Sequence, residues 1–294
     1  MGCHPSPENK SHLIESSPSV IYSEDTRRNT AELKTAEELQ IAHSTVALMK
    51  ASDFTTDGQI LRSNKNYTLS QTHHYCPSEK YVQETSQSFC SGFLIAPDLV
   101  LTAGHCIDSA QKCTETLFVF DFVRTLRPYS TPSAKTYRCQ KLISQTSRTS
   151  ISGGDYALIQ LERPVANRKP LQIDWNPNLQ INMPLSLYGF PNGIPLKVDN
   201  GTLRLIEDNG NFIKTEIDSF SGSSGSPLVD SETHKVIGML ISGEDDVDED
   251  LLFDAQKNNS CVQIKRCTSG NCRGERGVLL KSLPESLKHW IQER

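Results

Sequence analysis

The sequence predicts an all-β protein, a sandwich or a barrel, closed by one C-terminal helix. Two observations carry this reading. From residue 89 onward, short apolar-alternating runs recur between turn residues, with the length and spacing of strands in antiparallel sandwiches and barrels. The chain then switches period at its end. Ser282-Leu283-Pro284-Glu285 has the pattern of a capping box, and Leu287, Trp290 and Ile291 follow at helical spacing.

The elements follow in order. Residues 1–28 are polar, with Pro5, Pro7, Pro18 and several serines, and read as an extended arm. Asn29 or Thr35 caps a short helix running through Ala42, because Glu32 and Glu38 stand three residues after them. Thr45–Met49 is the first strand. Further strands are expected at Phe93–Ile95, Val100–Thr102, Leu117–Phe122, Tyr137–Ile143, Tyr156–Leu161, Leu185–Tyr188, Leu203–Ile206, Phe212–Ile217 and Val236–Ile241. The acidic run Glu244–Asp250 is expected to be a solvated loop. The chain therefore divides into an N-terminal arm with a short helix, residues 1–43, and a main domain, residues 44–294.

Composition narrows the function. At 294 residues the chain is long enough for a sizeable core. Its 30 basic and 35 acidic side chains give a net charge of −5, which argues against nucleic acid as a partner. The longest apolar stretches, such as Phe93–Ala96 and Leu99–Ala103, are too short for a transmembrane segment. Nine cysteines with no C-x-x-C pair point to disulfides in an oxidising compartment rather than to a metal, and Cys261, Cys267 and Cys272 are too loosely spaced for a zinc ribbon. No metal and no organic cofactor are expected. Setting Cys3 aside leaves eight cysteines, an even number. Met1–Lys10 lacks the apolar run of an export signal. The expectation is that a signal peptide has been removed and that Cys3 suits a lipid anchor at the start of a mature bacterial lipoprotein. Met1-Gly2-Cys3-His4-Pro5-Ser6 also fits an N-myristoylation pattern, which belongs to the cytosolic face.

Three islands bear chemistry: Thr102-Ala103-Gly104-His105-Cys106, Asp155-Tyr156-Ala157-Leu158, and Gly222-Ser223-Ser224-Gly225-Ser226-Pro227. Each alone reads as an ordinary turn or loop. Their order, His then Asp then Ser, is that of a nucleophile with its base and orienting carboxylate. At these residues the sequence resembles the chymotrypsin-like serine peptidases over roughly residues 45–290. The serine before Pro227 is closer to the bacterial branch that includes the glutamyl endopeptidases.

The resemblance implies two antiparallel six-stranded β-barrels with the active site between them, His105 and Asp155 on the first and Ser224 on the second. It implies a serine endopeptidase acting on extended polypeptides through an acyl-enzyme, secreted, periplasmic or lipid-anchored in a bacterium. The backbone N–H groups of Gly222 and Ser224 would form the oxyanion hole, and Cys90 would bridge Cys106. The other six cysteines allow 15 connectivities. Ser223 stands where relatives carry the aspartate that pairs with a newly cut N-terminus, so that activation route is not expected. Phe220 and Ser221 replace residues that include a pocket-wall cysteine. Asp218, with Ser219 and Gly243, falls at the primary specificity pocket and would favour Arg or Lys before the cut. The alternative is a latent or non-catalytic peptide-binding protein on the same fold. Tyr188–Gly193 reads as a strand ending in a tight turn beside the oxyanion loop, in a structural role. The sequence leaves oligomeric state open.

Overall fold

The computed structural model describes residues 21–294 apart from 23, 58–59, 66, 125–129, 133–134, 148–153, 247–257, 259 and 268–271. Cys3, with any lipid anchor, lies outside the described residues, as do residues 247–250 of the acidic run.

The strands, in chain order, are β1 Ile21–Tyr22, β2 Arg28–Asn29, β3 Thr45–Lys50, β4 Phe54–Asp57, β5 Ile60–Ser63, β6 Ser88–Ala96, β7 Leu99–Thr102, β8 Thr116–Phe120, β9 Ser130–Pro132 and β10 Thr136–Thr146. They continue as β11 Tyr156–Leu161, β12 Pro184–Gly189, β13 Lys197–Glu207, β14 Phe212–Thr215, β15 Pro227–Asp230, β16 Val236–Ser242, β17 Arg266–Cys267 and β18 Glu275–Leu279. The first barrel closes in the order β10-β11-β7-β6-β3-β8, with β8 pairing back onto β10. The second runs β12-β15-β16-β18-β14-β13 and closes through the β12–β13 pair, with β2 added to β13. All twelve barrel pairings are antiparallel. This is the chymotrypsin-like fold. β6 and β11 leave few positions polar because both their faces are covered, whereas β10 is largely half-exposed.

The first core gathers Val46, Leu48, Phe93, Val100, Phe118, Phe120 and Ile159, each fully buried. The second gathers Leu185, Leu203, Ile213, Leu228, Ile237 and Leu279. A smaller cluster ties Ile21 to Leu69, Tyr75, Val82, Ile194, Phe220 and Ile264.

Of the two candidate caps, Thr35 is the one that caps the helix, while the Asn29 side-chain oxygen has no partner among the described residues. Asn29 precedes the 3-10 turn Thr30–Glu32, and Thr35 caps the helix Ala36–Ser44, which leads straight into β3. The C-terminal helix, Glu285–Gln292, starts differently from expectation: its N-cap is Pro284, and the Ser282 hydroxyl donates to Leu279 O instead. Leu283, immediately before Pro284, is held extended at ψ 149°, so the helix cannot begin directly after Ser282, and the fixed φ of Pro284 suits the entry instead. Nor does the arm stand free from residue 21 on, for β1 and β2 join sheets and Ile21 and Arg27 are buried.

All eight cysteines after Cys3 are paired, as Cys76–Cys261, Cys90–Cys106, Cys113–Cys139 and Cys267–Cys272. The first closes 185 residues, which the chain-entropy model puts at the upper end of the roughly 2–5 kcal/mol a native bridge contributes.

Removing the Thr35 hydroxyl orphans the Glu38 N–H that it accepts at 3.1 Å. Thr35→Ala should lower unfolding free energy by about 1 kcal/mol, read as a shifted urea midpoint at unchanged slope.

Candidate active site

The topology brings the first two islands together. β7 and β11 pair antiparallel with Thr102 opposite Ala157, so the end of β7 lies beside the start of β11. His105 follows β7 and Asp155 precedes β11. The Asp155 carboxylate, 1% exposed, uses both oxygens on His105. Oδ1 accepts the backbone N–H at 2.8 Å and Oδ2 meets Nδ1 at 2.6 Å. Two contacts to one residue fix both the loop and the ring, so a proton on Nδ1 leaves Nε2 as the acceptor. Nε2 is buried and has no hydrogen-bond partner among the described residues.

The third island sits at the mouth of the second barrel, just before β15, and reaches across to the first. Ser91 N in β6 donates to Ser224 O at 2.8 Å, and the Cys106 sulfur lies 3.8 Å from the same oxygen. Ser224 thereby abuts the residue that follows His105. Its side chain makes no hydrogen bond among the described residues. Cys90, Cys106 and His105 crowd within 4.8 Å, but both sulfurs are spent in their mutual bridge and offer no thiolate to a metal.

The loop around Ser224 is shaped by its peptide planes. Ser221 O accepts from Asn192 N at 2.5 Å. The trans peptide therefore aims the Gly222 N–H the opposite way. Gly222 itself takes φ +89°, where a side chain is strained, and a Cβ there would come within 2.8 Å of Phe190 O. Ser223 N donates to Phe220 O at 2.8 Å while Phe220 N donates to the Ser223 hydroxyl at 3.3 Å. Ser223 thus braces the turn through both its N–H and its hydroxyl. The N–H groups of Gly222 and Ser224 donate to no acceptor among the described residues.

The family model described as the trypsin-like peptidase domain matches residues 90–239, which contain all three islands. The chain belongs to the trypsin-like peptidase family. It is a serine endopeptidase. Among solved structures, a Glu endopeptidase in complex with MPD aligns at TM-score 0.55 and 17% identity, covering 94% of this chain and 100% of that one. Rv3671c from M. tuberculosis H37Rv, an inactive serine-to-alanine mutant, aligns at TM-score 0.49 and 12% identity over 88% and 92% of the two chains.

The residues expected at the specificity pocket are closely packed. Asp218 is 4% exposed. Its Oδ1 accepts the backbone N–H of Tyr22 at 2.6 Å, and its own N–H donates to Asp199 at 2.7 Å. Burial and the neighbouring Asp199 carboxylate push the Asp218 carboxyl up to about 8. Ser219 donates to Glu275, whose other oxygen accepts from Glu244 N at 3.2 Å and from the Tyr22 hydroxyl at 3.4 Å. Burial pushes Glu275 up to about 8 as well. Gly243 lies half-buried between β16 and Glu244. Glu244 is not the solvated loop residue expected: it is 4% exposed and bonds Arg273 and Lys265. The Arg27 guanidinium, held by Asp25 through bonds of 2.9 and 2.6 Å, lies 4.2 Å over the Phe220 ring. Tyr22, Arg27 and Glu275 carried no recognisable signal in the sequence. Asn192 did, in the Tyr188–Gly193 turn.

The raised carboxyls set a sign for stability against pH. The folded state keeps a proton on Asp218 up to about pH 8, whereas the unfolded chain loses it near 4. Between those values the unfolded state binds fewer protons, so stability is full at acid pH and falls as pH rises. Asp218→Asn preserves an acceptor for Tyr22 and removes the titration. Its unfolding free energy should decline less steeply than wild type between pH 5 and 8, by on the order of 1 kcal/mol per pH unit, as measured by denaturant titration at each pH.

Proposed function

We propose that this endopeptidase cleaves polypeptides through a triad of Ser224, His105 and Asp155. The observation that carries the reading is the Asp155 carboxylate bound to both the backbone and Nδ1 of His105, beside a serine whose loop presents two unused N–H groups. Ser224 Oγ attacks the substrate carbonyl carbon as His105 Nε2 takes its proton. The carbonyl oxygen becomes an oxyanion between the N–H groups of Gly222 and Ser224. The C–N bond then breaks, the leaving amine takes the proton from His105, and an acyl-enzyme remains. Water repeats the two steps in reverse order of roles and frees Ser224. The four disulfides support a place outside the cytoplasm, and the family resemblance supports a bacterial source; residues 44–294 hold the whole machinery.

Ser224→Ala should abolish labelling by a fluorophosphonate and cut kcat by a factor on the order of 10⁶, with KM little changed. Labelling that persists at another residue would sink the assignment.

For the residue before the cut we propose Arg or Lys, read by Asp218 with Ser219 and Gly243 at its side. Asp218 Oδ2 has no hydrogen-bond partner among the described residues, which supports a role toward a ligand. Latency is favoured as a second reading by one contact, the Tyr22 N–H on Asp218 Oδ1, where a basic side chain would bind. A protonated carboxyl attracts no cation. The preference for an Arg substrate over a norleucine one should therefore grow as pH rises through about 8 and stay flat in Asp218→Asn. A wild-type ratio that ignores pH from 6 to 9 would contradict the role of Asp218.

A further inference from the structure

Ser91 lies in the middle of β6, is fully buried, and sits between Cys90 of the bridge to Cys106 and the glycine that pairs with Thr102. The sequence gives it no role. In the structure every polar atom it owns has a partner, and most of those partners belong to the other barrel. Its N–H donates to Ser224 O at 2.8 Å. Its hydroxyl donates to Gly222 O at 2.8 Å and accepts from Phe190 N at 3.1 Å. Its carbonyl accepts from the Thr102 hydroxyl at 2.6 Å. The Phe190 N–H has only a proton to give and Gly222 O only lone pairs, so the direction of the Ser91 hydroxyl is determined.

We propose that Ser91 is a positioning residue of the oxyanion hole, fixing from the first barrel the peptide units on either side of the nucleophile. The claim rests on the reading of Ser224 as nucleophile and of Gly222 and Ser224 as oxyanion donors. Gly222 has two carbonyl-anchored peptide planes next to its Cα. Asn192 N holds Ser221 O, and the Ser91 hydroxyl holds Gly222 O. With both planes pinned, the φ of +89° at Gly222 is locked and its N–H keeps one direction. Ser224 is held at its own carbonyl by the Ser91 N–H, and Gly225 seats so close that a Cβ there would be 2.0 Å from Ser91 O. The same strand carries the bridge to Cys106, so one piece of β6 sets the serine loop relative to the loop bearing His105. An oxyanion hole works by donors already in place when charge develops, and errors near 1 Å cost about a hundredfold.

Removing the hydroxyl removes one anchor and leaves the chain contacts of the N–H and C=O intact. With Ser91→Ala, kcat per titrated active site should fall about 10–100-fold for an anilide peptide substrate, within the range of losing part of an oxyanion donor. KM should stay within about twofold, and affinity for the matching peptidyl trifluoromethyl ketone, which binds as an oxyanion, should fall by the same factor as kcat/KM. A merely structural serine would lower the melting temperature and the titratable fraction while leaving kcat per titrated site and the ketone affinity unchanged; that result overturns the proposal. Should Ser91→Ala fail to fold, Ser91→Cys keeps a weak donor in place and is read by the same ratios, with an expected loss smaller than tenfold. The two readings fail separately. Wild-type protein that turns over peptide and is labelled at Ser224 while Ser91→Ala keeps full kcat overturns only the role of Ser91. Wild-type protein that is not labelled at Ser224 overturns the triad reading and the role of Ser91 with it.

Discussion

A single hydrogen bond between the barrels, from Ser91 N–H to Ser224 C=O, fixes the relation on which the rest of the site depends. His105 and Asp155 come together within the first barrel because β7 and β11 are neighbours. Nothing inside either barrel sets the distance from that pair to Ser224. That distance is set where β6 of one barrel touches the loop before β15 of the other. The bond is short, buried and between backbone groups, so no change of side chain removes it directly. Around it lie the Cys90–Cys106 bridge, the Ser91 hydroxyl and the turn at Pro191–Gly193.

Much of this was legible in the sequence. Strands such as Tyr156–Leu161 are short apolar runs bounded by turn residues, which is what a strand buried on both faces looks like in sequence. The three islands declare themselves because the residues of a nucleophile, a base and an orienting carboxylate sit in glycine-bearing turns. The Thr35 cap is explicit, since Glu38 reciprocates it. Legibility fails where tertiary context overrides local preference. β13 includes Lys197, Asp199, Asn200 and Gly201, none of them a strand former. Lys197 is nonetheless buried because Glu84 and Pro195 O take its ammonium, and Asp199 because Thr26 and the Asp218 N–H take its carboxylate. Glu84 and Thr26 lie 113 and 173 residues away along the chain, and no window of sequence contains them. β18 hides for a similar reason, with Glu275 fully buried in a run that reads as charged and glycine-rich.

The site shows the same division. The chemistry-bearing side chains were visible, while their supports were not. Ser91 looks like any strand serine until the serine loop is folded against it. Asp218 was visible, yet its surroundings were not. Tyr22 donates a backbone N–H, which no residue pattern encodes, and Arg27 is buried against Phe220 with Asp25 as its partner. Burial pushes the Asp218 and Glu275 carboxyls up to about 8, outweighing Arg27 beside Asp218 and the hydrogen bonds that Ser219, Glu244 and Tyr22 give Glu275. A reading by charge count alone gives that end of the molecule two charges that it gains only as pH rises through about 8.

The Cys76–Cys261 bridge bears on how a peptide enters. One partner lies in the connection leading to the first barrel's β6 and the other in the connection that follows the second barrel's β16, so the bond ties the connections of the two halves together. Two lobes joined only by a linker can hinge apart and must be ordered again each time a chain is gripped. Stapled lobes keep the width of their cleft. A bound polypeptide then loses its own freedom but does not also have to freeze that of the enzyme, and more of the contact energy is left for the reacting bond.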